Sequence, residues 1–235
     1  VGPVNGRIER VSSVPDAFAR KVTEVLAGSR QDRFSLFLSG GSTAQQCYRA
    51  LAESGGPDSD VRWDAVDIYL GDERCVPADD PASNHRMIRE TLLERVGPVG
   101  SDHPMYRNGS PSAAATDYQA VIGSLPAFDL VHLGLGPDGH TASLFPGSAA
   151  LDLVDPDVLV AANQDPRGNN PHDRVTLTLA GIARARLVVF TVSGSSKRDA
   201  FASIAAGADL PAGRVVADEV LWLVDDDAGG AVPEG

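Results

Sequence analysis

Five short apolar runs constrain this chain more than any other feature: FSLFL at 34–38, AVDIYL at 65–70, FDLVHL at 128–133, LVVFTV at 187–192 and VLWLV at 220–224. Near-continuous runs of leucine, β-branched and aromatic residues read as strands buried on both faces. Between them lie stretches with the spacing of helices, at 42–53, 84–93, 111–122 and 195–206, and another at 15–26 precedes them all. Asn84 is the expected cap of the second. Strands that alternate with helices are joined by crossovers, and crossovers make parallel sheets. The expectation is an α/β protein with a single-domain, open, mostly parallel sheet and helices on both faces. Two further short strands are expected at 158–161 and 175–179. The Pro- and Gly-rich stretches 97–111 and 163–172 read as surface loops, because strands resume after each. Residues 1–225 form the expected domain, and 226–235 follow as a flexible tail without periodicity.

At 235 residues, with 43% hydrophobic and 22% charged side chains, the chain can bury a full core. Its net charge of −12 and the lack of a dense Lys/Arg cluster argue against nucleic acid as a partner. No run approaches the length of a membrane span, and Val1-Gly2-Pro3-Val4 has no charged-then-apolar leader pattern. Cys47 and Cys75 make neither a disulfide framework nor a zinc spacing. They are expected to be reduced thiols in a cytoplasmic protein. Such an acidic chain can hold an anionic ligand only with a few well-placed cations and backbone N–H groups.

Three strand ends carry candidates, since ligands bind beyond the carboxyl ends of strands in open α/β sheets. After 128–133 comes Gly134-Leu135-Gly136-Pro137-Asp138-Gly139-His140-Thr141-Ala142-Ser143-Leu144-Phe145-Pro146-Gly147. Neutral imidazole at His140 can take a proton from water near neutral pH. Asp138 either orients that ring or caps the turn 141–145. The Gly134-x-Gly136-x-x-Gly139 spacing matches a dinucleotide fingerprint. The Asp138 carboxylate would repel a pyrophosphate there, and Pro146-Gly147 cut the helix short, so nicotinamide binding is rejected. The turn Ser39-Gly40-Gly41-Ser42-Thr43 opens a helix. It can cradle phosphate on free N–H groups, or be a tight turn with a serine cap. Gly40-Gly41-Ser42-Thr43-Ala44 also approximates a nucleophile elbow, but its acid and histidine share one turn instead of lying on separate loops.

Gly71-Asp72-Glu73-Arg74 follows the strand at 65–70, and Arg74 offers a fixed cation, or a surface ion pair with Glu73. Lys197 and Arg198 stand in a first helical turn, where cations oppose the dipole. A bound anion would give one of them a reason to be there. His132, inside an apolar run, reads as core or wall, and His85, His103 and His172 have no metal spacing. No metal and no cofactor are expected.

Together these segments resemble the 6-phosphogluconolactonase family, within the wider superfamily of glucosamine-6-phosphate isomerases and lactonases. SGGST at 39–43, GDERCVPADDPASNH at 71–85 and GLGPDGHTASLFPG at 134–147 carry the resemblance, with weaker support from RVTLTL at 174–179 and the Lys197 region. It implies a Rossmann-like sheet of the isomerase/lactonase type. It also implies hydrolysis of 6-phospho-D-glucono-1,5-lactone, the second step of the oxidative pentose phosphate pathway. His140 is then the general base and Asp138 its partner, with Asp72 a further catalytic candidate of open role. Gly40, Gly41, Ser42, Thr43, Arg74, Arg174 and Lys197 contact substrate or phosphate. Ala44 stands where family members often carry proline. The stretch 164–171 is looser than the usual lysine- and proline-rich segment, which weakens the case for Arg167. The isomerase branch has a glutamate a few residues beyond the histidine, where this chain reads Leu144-Phe145-Pro146. The implied partner is a small sugar-phosphate lactone, with no membrane or nucleic acid, acting on a monomer or small homo-oligomer. A serine hydrolase, an amino-sugar-phosphate isomerase using Asp72 on carbon, and a non-catalytic sugar-phosphate sensor are the alternatives.

Overall fold

A computed structural model describes residues 4–56 and 59–232. Its main sheet has seven strands: β1 (Arg7–Arg10), β2 (Phe34–Leu38), β3 (Val66–Leu70), β5 (Ser101–Asp102), β6 (Phe128–Gly134), β9 (Ala185–Val192) and β10 (Glu219–Val224). They stand in the order β1-β10-β9-β6-β2-β3-β5, and every pairing is parallel. The strand β1 escapes sequence reading because Arg-Ile-Glu-Arg buries only Ile8, as suits an edge. A second sheet, antiparallel, joins β4 (Asp72–Arg74), β8 (Arg174–Leu177) and β7 (Val160–Asn163). The short strands expected at 158–161 and 175–179 thus belong to this small sheet, shifted by a residue or two.

Helices cover both faces. Register partners across neighbouring strands share a face, so His132, Val189 and Leu221 point one way and Leu133, Phe190 and Trp222 the other. On the first face Phe18 of α1 (Val14–Gly28) lies over the His132 ring, with centroids 4.2 Å apart. On the second, Phe201 of α7 (Arg198–Ala205) packs against Trp222, which stacks on Phe190 at 3.7 Å. Helix α1 starts where Ser13 caps it and Pro15 occupies its first turn, and it buries Val14, Ala17, Phe18, Val22 and Leu26 on one stripe. The α/β architecture expected from the strand pattern is the one observed.

Other boundaries differ from expectation for local reasons. Ser83, not Asn84, caps α3 (Asn84–Ile88), its hydroxyl accepting from the Arg86 N–H. The helix then widens through a π turn, Arg89–Leu93, into α4 (Glu94–Val96). Helix α2 is Ser42–Ser54 and α5 is Pro111–Gly123. The helix expected from 195 opens as a 3₁₀ turn, Ser195–Lys197, before α7. A further short helix, α6, spans Leu179–Ile182. The expected flexible tail begins instead with a helical turn, α8 (Asp226–Gly229), capped by Asp225 and burying Ala228. Arg10 donates to the carbonyls of Asp225, Gly230 and Val232, pinning this segment to β1. Residues 233–235 of that tail lie outside the described residues. Among the described residues no helix is long and apolar enough to cross a membrane.

Sheet order fixes where a ligand fits. The chain leaves β2 toward β3 on one side, and leaves β6 toward β9 on the other. Turns that diverge from adjacent strand ends open a crevice between them, the switch point at which open α/β sheets bind ligands. The turns at 39–43 and 135–147 flank it.

Candidate active site

A cleft of about 200 Å³ opens at this switch point. Gly40, Gly41, Ser42, Thr43, Asp72, Arg74, His140, Arg174 and Lys197 all line it. Asp138 is off the wall, set behind His140, and Arg198 does not line the cleft either. Arg167 is exposed and does not line the cleft.

The turn after β6 is built around the imidazole. Gly136 donates its N–H to the His140 carbonyl at 2.8 Å, Gly139 donates back to Gly136 at 3.0 Å, and Thr141 Oγ1 donates to the Gly134 carbonyl at 2.8 Å. Any side chain at Gly136 would strike the ring, since a Cβ there would fall on His140 Nδ1. Ala142 takes a φ of 47°, a conformation unfavourable for alanine, so this turn holds strain. Phe145 is buried and packs at 5.1 Å against the imidazole.

Asp138 Oδ1 lies 2.5 Å from His140 Nδ1 and accepts the His140 N–H at 3.2 Å. Burial alone would raise its pKa, but the hydrogen bonds and charge of His140 outweigh burial and hold the carboxyl at about 2. An ionised carboxylate only accepts, so the neutral ring carries its proton on Nδ1 and keeps a lone pair on Nε2. Asp138 thus does more than cap the turn. Because its folded pKa lies below its ordinary 3.8, the stability it contributes is present above that value and lost as pH falls toward 2.

Helix α2 faces the imidazole across the crevice. Its cap is Gly41, at φ 99°, which has no side chain to cap with. The first helical bond runs from the Gln45 N–H to the Gly41 carbonyl. Among the described residues no protein acceptor meets the N–H groups of Ser42, Thr43 or Ala44. Free N–H groups at the positive end of a 13-residue helix form an anion site. No hydrogen bond joins Ser42 to His140 among the described residues, as a nucleophile–base pair would have. Burial pushes both Cys47 and Cys75 up to about 12, so neither is a thiolate near neutrality.

The small sheet delivers two cations to the same cleft. Arg74 and Arg174 are direct partners across the β4–β8 ladder. Among the described residues, no carboxylate forms an ion pair with either of them or with Lys197. Desolvation lowers the pKa of both Arg174 and Lys197. Like charges opposed on a ladder destabilise it, and a half-buried cation without a counter-ion is costly. Three such cations around one cleft, in a chain of net charge −12, make a local trap for an anion. Arg198 is used differently: its Nε donates to the Asp227 carbonyl at 2.8 Å. Asp225 accepts from Ser193 Oγ at 2.6 Å and from the Gly194 N–H, and so anchors the loop that carries Lys197.

Glu73 is no surface ion-pair partner for Arg74. It is buried, and accepts hydrogen bonds from the N–H groups of Arg74, Asn84 and His85 and from Ser83 Oγ. Burial raises its pKa, and those donors act against the rise. Glu73→Ala would leave one buried and two half-buried N–H groups without a partner, and about 3 kcal/mol of destabilisation is expected in a urea titration. Asp72, also buried, accepts from Ser143 Oγ at 2.6 Å and is the one carboxylate among the residues lining the cleft.

Sequence reading missed Asn84, Phe145, Asn170 and Thr191, which also line the cleft. Thr191 sits at a strand's carboxyl end and was open to the same reasoning that found His140. Asn84, buried with its Nδ2 donating to the Asp72 carbonyl at 2.9 Å, carried no signal beyond that of a helix cap. Among the described residues no group of three His, Cys, Asp or Glu side chains is placed to hold a metal ion.

Comparison with known proteins shows the family. Residues 9–222 match the family model described as glucosamine-6-phosphate isomerases/6-phosphogluconolactonase. A 6-phosphogluconolactonase of Synechocystis is 38% identical over 229 residues, covering 89% of this chain and 88% of the relative. The crystal structure of 6-phosphogluconolactonase from Thermotoga maritima superposes with a TM-score of 0.80 at 31% identity, over 93% of this chain and 97% of that one. A Trypanosoma brucei 6-phosphogluconolactonase gives a TM-score of 0.81 at 29% identity, over 98% of this chain and 100% of that one. This chain belongs to the family of glucosamine-6-phosphate isomerases and 6-phosphogluconolactonases.

Proposed function

We propose that this chain is a 6-phosphogluconolactonase, hydrolysing 6-phospho-D-glucono-1,5-lactone to 6-phosphogluconate with His140 as general base. It supplies the second step of the oxidative pentose phosphate pathway. One observation carries the choice of roles: an imidazole polarised by Asp138 faces, across one cleft, the free N–H groups of α2 and three unpaired cations. In this reading Gly40, Gly41, Ser42 and Thr43 hold the phosphate, with Lys197, Arg74 and Arg174 supplying positive charge. His140 Nε2 takes a proton from water as the oxygen attacks the lactone carbonyl. The carbon–oxygen ring bond then breaks, and the imidazolium returns its proton to the departing ring oxygen, which becomes a hydroxyl. A lactone carbonyl is reactive enough that an activated water and local positive charge suffice. Asp72, tied to Ser143 and Asn84, shapes the wall between β4 and the His140 turn.

The turn 141–147 after His140 holds no carboxylate for ring opening: Leu144 and Phe145, at the place where the isomerase branch carries its glutamate, are both buried. We further read the protein as a cytoplasmic enzyme, a monomer or small homo-oligomer, acting on a small molecule. The decisive experiment is turnover of freshly generated lactone, coupled to phosphogluconate oxidation and corrected for spontaneous hydrolysis, beside a glucosamine 6-phosphate control. Ammonia release from the control, with no lactone turnover, would replace this reading by the isomerase one.

A charge-removing substitution gives an independent check. Asp138 stays ionised down to about pH 2, so protonation of this carboxylate does not limit kcat above that value. Asp138→Asn keeps the shape but removes the charge. It is expected to lower kcat, though less than loss of the imidazole does, because the ring loses the carboxylate that orients it and balances the charge it gains. An unchanged kcat would mean that the Asp138 charge does not assist the ring.

A further inference from the structure

Beneath the cleft lies a buried polar chain that the proposed reaction does not use. His132, in the middle of β6, is fully buried. Its Nδ1 lies 2.8 Å from the Tyr48 hydroxyl and its Nε2 2.8 Å from Thr191 Oγ1. The Tyr48 hydroxyl accepts the Ser39 N–H at 2.7 Å and lies 2.9 Å from the Ser39 carbonyl. Ser39 Oγ closes the ring by donating to the His132 carbonyl at 2.6 Å. The two ends of this chain are functional ground: Ser39 leads directly into the 40–43 turn, and Thr191 lines the cleft.

Packing alone does not account for an imidazole here. Phe18 lies on one side of the ring and the neighbouring strands are apolar, so a leucine would fill the place without the cost of burying a polar ring. Burial pushes the imidazole down to about 3, so it stays neutral in the working range, with one N–H and one lone pair. One tautomer satisfies the whole chain. In it, Nδ1–H donates to Tyr48, Tyr48 donates to the Ser39 carbonyl, and Thr191 donates to Nε2. The other tautomer would draw the Tyr48 proton to Nδ1 and leave the Ser39 carbonyl without a donor. The first residue of the turn and the opposite wall are thereby tied to one rigid ring.

We infer that His132 is a positioning residue for anion binding: by bridging Tyr48 and Thr191 it holds the Ser39 main chain so that the free N–H groups of residues 42–44 face the bound anion. This rests on reading the 40–43 turn as the phosphate cradle.

The test uses the full chain, with kcat and KM for the phosphorylated lactone and the competitive inhibition constant of inorganic phosphate. His132→Leu is expected to raise KM and the phosphate constant together by about tenfold, the size of one or two lost buried hydrogen bonds, with kcat within about twofold. His132→Asn places an amide near Nδ1 and restores much of the loss, whereas His132→Gln reaches toward Thr191 and does not. Tyr48→Phe keeps the ring packing and removes only the hydroxyl, so it decides the matter even where His132→Leu fails to fold, and it too is expected to raise both constants. Competition by phosphate in the unmodified protein, with both constants unmoved in folded His132→Leu and Tyr48→Phe, overturns the positioning role alone. Lack of phosphate competition in the unmodified protein, together with unchanged KM in Ser42→Ala and Thr43→Val, overturns the cradle and the positioning role with it.

Discussion

His140→Ala lowers kcat for the phosphorylated lactone by about 10²–10⁴-fold, the usual cost of losing a positioned general base, and leaves KM nearly unchanged. The split follows from where the ring sits. His140 lines the cleft but holds no cation role, and the groups read as gripping the phosphate come from other turns: 40–43, β4, β8 and the Lys197 loop. Removing the imidazole therefore removes a proton acceptor needed in the transition state and leaves ground-state binding in place. The change is also mild for the fold, because the turn is closed by backbone and threonine hydrogen bonds that do not involve the ring. Rates must be read in the first seconds of each assay, with uncatalysed hydrolysis subtracted. A variant that retains its kcat would take His140 out of the chemistry and return attention to Asp72.

The parts legible in the sequence are those written in short-range pattern. The runs at 34–38, 128–133 and 187–192 have no polar face to expose, so they have to become inner strands, and their ends have to share one edge once the sheet is parallel. Short-range pattern alone therefore gathers His140, the 40–43 turn and Lys197 along a single edge. What escapes it depends on long-range partners. The strand β1 looks like a charged loop until β10 is beside it. Nothing local distinguishes Glu73 from a surface acid. Its burial comes from the three backbone N–H groups that loop 83–85 and Arg74 turn toward it. Arg174 lies 100 residues from Arg74 in sequence, and only the antiparallel ladder of the small sheet makes the two residues direct partners. Asp225 looks like the start of an acidic tail, yet it caps one helix and fastens the loop of another.

That arginine pair sets function against stability, and Arg174→Met separates the two. KM is expected to rise by about 10- to 100-fold, the size of one or two lost hydrogen bonds to a charged group, with kcat little changed. Thermal stability without ligand is expected not to fall. Arg174 is 5% exposed, desolvation already lowers its pKa, and its ladder partner carries the same charge. Methionine fills a similar volume and relieves both costs, giving up one bond to the His172 carbonyl, a distant contact with the Phe145 ring and the attraction of the Asp72 and Glu73 carboxylates. The sign reverses once an anion is present. A ligand at a hundred times its Kd stabilises the folded state by about 2.7 kcal/mol, and a Kd weakened thirtyfold leaves about 0.9 kcal/mol of that. Melting curves with and without 6-phosphogluconate should therefore cross: the variant matches or exceeds the parent when free, and falls behind it when product is bound. A variant that melts several degrees lower in the absence of ligand would show that Arg174 serves the fold, and an unchanged KM would remove it from the anion's surroundings.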